Sequence, residues 1–85
     1  REDLTRIEGI GPKICALLVD EGIETFQCLS QTTVPTLRKI LDAAGGSFRS
    51  HDPTTWPEQA TMAANGQWDE LERLQNVLNA GRRVA

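Results

Sequence analysis

The sequence predicts an all-α domain of five to six short helices. Three observations point there. Apolar residues recur three or four apart in successive segments, Asp, Thr and Pro open those segments while glycines close them, and no stretch alternates apolar with polar residues long enough to make a strand. With 85 residues, 39% of them apolar and 25% charged, the chain has the composition of one small globular domain.

Asp3 can cap a short first helix carrying Leu4 and Ile7, which ends at Gly9. Gly9 and Gly11 flank Ile10, and both can take positive φ at little steric cost. Ile10 is then free to plug the turn into a core. Pro12 suits the first helical turn, with φ already set and no N–H to leave unpaired. The second helix runs from Pro12 to about Glu21, with Ile14, Leu17 and Leu18 on one face, Cys15 as a small core residue and Ala16 at a close-packing position. Gly22 stops it in a left-handed conformation, and Ile23 folds back on Leu18.

Thr25 caps a third helix containing Phe26 and Leu29. Thr33 caps a fourth, with Pro35 in its first turn and Val34, Leu37, Ile40, Leu41 and Ala44 along one face. Arg38, Lys39 and Asp42 fall off that face and read as solvated. Gly45-Gly46 ends the helix, and residues 47–54 read as an irregular connector. Thr55-Trp56-Pro57-Glu58 has the form of a capping box, with Thr55 as N-cap and Glu58 reaching back. The helix that follows stops at Asn65-Gly66. The last helix places Trp68, Leu71, Leu74, Val77 and Leu78 on one side, pairs Asp69 with Arg73 on the other, and ends near Gly81. Arg82-Arg83 read as a solvated tail. Residues 1–46 thus form a hairpin core, 47–56 a connector and 57–81 a helical pair that packs back on the core, all within one domain. The chain begins with Arg1 and has Met62 as its only methionine, which suggests a piece of a longer protein.

Gly9-Ile10-Gly11-Pro12-Lys13 is the one segment with chemistry attached. The first amides of a helix have no intrahelical acceptor and attract anions, and Lys13 adds a positive charge beside them. One phosphate group suits that cradle. With Ile7 before it and Ala16 after, the segment resembles the helix-hairpin-helix motif over residues 4–18. The resemblance implies a SAM-like or polymerase-type arrangement in which backbone amides meet DNA or RNA phosphates without reading sequence. It carries over to Gly9, Ile10, Gly11 and Lys13 as phosphate-site residues. The second turn, Ser30-Gln31-Thr32-Thr33-Val34-Pro35, contains no glycine, so the pattern fills only half of a paired unit. The longer order of hairpin, short helices, Phe48 and Trp56-Pro57-Glu58-Gln59-Ala60 is similar to small C-terminal modules appended to some bacterial ribosomal proteins and respiratory complex I subunits.

Charge restrains this reading. The net charge is −3, and neither half is basic: five basic residues face seven acidic ones in 1–46, and four face five in 47–85. Arg6 and Lys13 are the basic residues nearest the hairpin in sequence, with Glu8 between them. Binding to DNA or RNA is therefore expected to be weak, and docking to a protein partner or to domains of the host protein, with the hairpin purely structural, is the alternative. Trp56 and Trp68 read as core residues rather than base-stacking platforms. His51 reads as a loop hydrogen-bonder, and Ser47, Ser50 and Asp52 beside it make a triad only in composition. Cys15 and Cys28 lack metal-ligand spacing and read as free thiols in a reducing compartment. The expectation is a cytoplasmic module that is not an enzyme, with no metal, no cofactor and no membrane contact.

Overall fold

The computed structural model describes the backbone of residues 1–84 and the side chains of residues 1–80. Five α-helices follow a 3-10 turn at Leu4–Arg6: α1 (Pro12–Asp20), α2 (Phe26–Ser30), α3 (Val34–Ala44), α4 (Trp56–Ala64) and α5 (Trp68–Val84). A second 3-10 turn, Gly46–Ser50, stands between α3 and α4, and no strand occurs among the described residues. The class is all-α, as the periodicity predicts.

Local chemistry accounts for most boundaries. The Asp3 carboxylate accepts from the Thr5 amide and opens the first turn. Gly22 takes φ +86°, so its amide reaches the Val19 carbonyl and the Ile23 amide reaches that of Leu18 at 2.8 Å. This paired closure satisfies two carbonyls and delivers Ile23 to the core. Thr25 caps α2 by accepting from the Cys28 amide. A second cap on α2 comes from far away in sequence: the Glu2 carboxylate accepts from the Phe26 amide at 2.8 Å. Thr33 caps α3 through the Thr36 amide.

The core gathers Leu4, Ile7, Ile10, Ile14, Leu18, Leu29, Leu37 and Leu41 around Trp56 and Ala60 of α4. Helix α4 lies mainly against α2, so the C-terminal pair folds back on the hairpin core. Trp56 is almost wholly buried. Trp68 is only half-buried, its ring meeting Phe26 edge-on at 5.7 Å.

Several expectations need correction. The connector is not irregular throughout, because Gly46–Ser50 winds into a 3-10 turn that lays Phe48 against the core. Thr55 is not a side-chain cap: its backbone is already helical (φ −97°, ψ −2°), which aims its hydroxyl away from the free amides. The Asp52 carboxylate starts that turn instead, accepting from the amide and hydroxyl of Thr54. Helix α5 runs past Gly81 to Val84, and Val77, placed on its apolar side by the spacing, is 69% exposed. Ala16 and Ala44 are exposed as well, since the core covers only part of each helix face. Asp69 and Arg73 do not pair, and the single ion pair among the described residues is Arg38 with Asp42 at 3.0 Å. The side chains of Arg82 and Arg83 lie outside the described residues.

Candidate functional site

The segment Ile7–Ile10 is a β-turn closed by the Ile10 amide on the Ile7 carbonyl at 3.1 Å. Gly9 is its third residue and has φ +100°, the conformation a type II turn reserves for glycine. A second constraint acts at the same position. A Cβ on Gly9 would stand 2.7 Å from the Trp56 indole nitrogen, and Trp56 is too deeply buried to move aside. Ile7 and Ile10, 1% and 4% exposed, anchor both ends of the turn in the core.

Gly11 departs from expectation. Its φ of −92° and ψ of −176° are extended, open to any residue, and a Cβ there would meet nothing within 4 Å. One left-handed residue is enough to reverse the chain, so Gly11 serves as the N-cap of α1. Having no side chain, it caps nothing. The first bond of α1 runs from the Cys15 amide to the Gly11 carbonyl at 2.9 Å, and the amides of Gly11, Lys13 and Ile14 have no acceptor among the described residues. Gly11, Pro12 and Lys13 are exposed and form, with Ile14 and His51, an open depression of about 380 Å³.

His51 comes to this place through Arg38. The Arg38 guanidinium donates to the carbonyls of His51 at 2.8 Å and Arg49 at 2.9 Å while pairing with Asp42, and so pins the connector beside the hairpin. Arg38 is thus more than the solvated residue its helix position suggests. Ser50 donates to the Ser47 carbonyl and Asp52 accepts from Thr54, so neither addresses His51. The hydrogen bonds from Thr54 also hold the Asp52 carboxyl below its usual range, as those from Thr5 do for Asp3.

The four predicted site residues therefore divide by role. Gly11 and Lys13 face the depression, whereas Gly9 and Ile10 support them from below. Arg6 does not join Lys13. Its guanidinium lies 4.0 Å above the Trp68 ring, in a shallow groove that also includes Asp69 and Glu72. No group of three or more metal-ligating side chains occurs among the described residues, and both cysteines are free, Cys15 buried and Cys28 half-buried.

A residue that the spacing rules did not single out holds the hairpin in place. Gln59 of α4 is 0% exposed; its Oε1 accepts from the Glu8 amide at 2.7 Å and its Nε2 donates to the Glu8 carbonyl at 3.1 Å. The amide side chain thus meets the turn's second residue the way a neighbouring strand would. A polar residue on the Trp56, Ala60, Ala63 face of α4 was the available signal, since a buried amide must find partners.

The same stretch of chain, from the first turn through α4, is what known proteins share. A family model described as the RS2/RL21/YNQ2 HHH domain matches residues 4–64. The chain belongs to this helix-hairpin-helix family. Comparison with curated proteins and with solved structures gives no match. The RS2/RL21/YNQ2 HHH domain is a module found on ribosomal proteins, and its matched span contains both the hairpin and the two α4 residues, Trp56 and Gln59, that support it. Helix α5 lies beyond the match. No helix among the described residues is long and apolar enough to cross a membrane.

Proposed function

We propose that this helix-hairpin-helix domain is a non-catalytic binding module that touches the phosphate backbone of DNA or RNA weakly and without reading sequence. The observation that carries the reading is Gly11. Nothing among the described residues requires glycine there, yet a side chain would stand on the surface beside α1 amides that have no acceptor among those residues. A glycine at an exposed helix start lets another molecule's atoms come close to the backbone. Lys13 adds charge at the same edge, Gly9 shapes the turn and Ile10 anchors it.

The contact is weak because it is small. Each neutralised phosphate of a duplex contributes about −0.9 to the slope of log K against log salt, so one or two contacts give a slope of roughly −1 to −2. The net charge of −3 opposes rather than assists approach. Such a domain serves a larger protein as one contact among several, which fits an appended module in the cytoplasm. Titration of the ¹⁵N-labelled domain with short single- and double-stranded oligonucleotides at low salt should shift the Gly11, Lys13 and Ile14 amides first. Absence of any shift there at millimolar duplex sinks the proposal.

One observation favours protein docking instead. Val77 is exposed on α5, between the half-buried Leu74 and Leu78. Val77→Asp should abolish capture of a protein partner on that reading and leave oligonucleotide shifts unchanged.

A further inference from the structure

The network that holds the hairpin does not stop at Gln59. Gln75 of α5 donates through Nε2 to Gln59 Oε1 at 3.0 Å and to the Arg6 carbonyl at 2.8 Å. Gln59 Oε1 therefore accepts twice, from Glu8 and from Gln75. Its Nε2 donates twice, to the Glu8 carbonyl and to the Thr55 hydroxyl at 3.1 Å. Two donors and two acceptor positions are all that a glutamine amide has, and here every one is used.

Full use sets the direction of the side chain. Turned over, the Gln59 amide would point its NH₂ at the Glu8 N–H and the Gln75 NH₂, donor against donor, and its oxygen at the Glu8 carbonyl. Gln75 thus reinforces the orientation of Gln59 that the Glu8 N–H and carbonyl require. It also ties down the Arg6 carbonyl, immediately before Ile7. These two bonds tie α5, which lies outside the family-matched span, to Arg6 directly and to Glu8 through Gln59.

We propose that Gln75 is a positioning residue for the hairpin, and that α5 acts as a brace keeping the Glu8–Gly11 backbone in one geometry. The consequence for ligand binding rests on the phosphate reading above; the consequence for the hairpin itself does not. Gln75 is only half-buried, so its replacement need not disturb the core.

The test compares Gln75→Met, which keeps the length and loses the donor, with Gln75→Glu, which sets a carboxylate against two acceptors. Both are made in the 85-residue chain, with Trp68 fluorescence reporting that α5 stays docked. Hydrogen exchange at the Glu8 amide should quicken about five- to tenfold in Gln75→Met and more in Gln75→Glu. The Gly9–Gly11 amide shifts should move while those of α3 stay put. Titration with a short duplex should weaken in the same order. Unchanged Glu8 exchange and unchanged Gly9–Gly11 shifts in Gln75→Met overturn the brace. Altered exchange with no duplex binding, even by the unaltered chain, upholds the brace and removes the phosphate reading.

Discussion

Two turns in this domain solve the same problem in opposite ways. The turn from α2 into α3 is satisfied by its own side chains: Ser30 donates to the Gln27 carbonyl, Thr32 to that of Cys28 at 2.8 Å, and Thr33 caps the Thr36 amide. The hairpin from Ile7 into α1 has no side-chain cap of this kind at Gly11, the N-cap of α1. Its inward polar groups are met by Gln59, with Gln75 holding the Arg6 carbonyl just before it, and its shape depends on Gly9. The amides of Gly11, Lys13 and Ile14 have no acceptor among the described residues. A turn that closes on itself has little left to offer a ligand. One held from behind keeps its front face available.

The largest way to break that difference is Gly9→Ala. The methyl group meets the Trp56 indole at 2.7 Å, and φ of +100° strains any L-residue, so a loss of about 3 kcal/mol or more is expected. For a domain of this size that is a fall in Tm of roughly 12–24 °C, read by thermal denaturation. A fall of only a few degrees would mean that Trp56 can retreat and that the hairpin is less tightly backed than its geometry indicates.

Gln59→Leu comes next. It fills the space but removes the two bonds that Gln59 makes to the Glu8 amide and carbonyl, for about 2–3 kcal/mol measured by urea denaturation. The matching change in the other turn, Thr33→Ala, removes a single cap and should cost about 1 kcal/mol. It should leave the hairpin amides where they are in an NMR spectrum. If Thr33→Ala moves them as far as Gln59→Leu does, the two turns are not independently held.

How much of this was legible in the sequence follows the same division. Thr25, Thr33 and Gly22-Ile23 could be read because a cap or a left-handed stop acts within five residues of its partner. The Gly9 turn was legible for a similar reason, since it closes within the four residues Ile7–Ile10, and Trp56 was legible as core from its size alone. Gln59 was not, because its partner Glu8 lies 51 residues away and only the fold brings them together. The Thr55 capping box failed in a related way. Asp52, three residues earlier, begins the helical turn first, and the Thr55 hydroxyl is taken by Gln59. Likewise nothing local told Gly9 from Gly11, since the indole that makes one glycine obligatory arrives from α4.

That pair sharpens the comparison further. Gly11→Ala should change stability by no more than about 0.5 kcal/mol, because a small loss at the N-cap is offset by a less flexible unfolded chain. Its effect should appear only with a ligand, as weaker oligonucleotide-induced shifts at Lys13 and Ile14. A stable variant that binds like the parent would place the contact elsewhere.

The smallest effect concerns the Asp52-Pro53-Thr54 lead into α4. Hydrogen bonds from the Thr54 hydroxyl and amide favour the ionised Asp52 carboxyl, so its pKa is lower in the folded chain than in the unfolded one. A lowered folded pKa adds stability that is present above the unfolded value of about 3.9 and is lost as pH falls below it. Asp52→Asn can still accept from Thr54 but cannot titrate. Its Tm should therefore fall less between pH 5 and pH 2.5 than that of the parent, with the two curves parallel above pH 5. Because the residue lies at the surface the difference is small. The informative comparison is with Asp3→Asn, which removes the same kind of titration from the lead into the hairpin. If α4 holds the hairpin from behind, acid-induced loosening of the Asp52 turn should also appear at the Glu8 amide. Loosening of the Asp3 turn should reach that amide without passing through α4. Equal responses at Glu8 and at Gln59 in both variants would mean that the hairpin and α4 open as one unit.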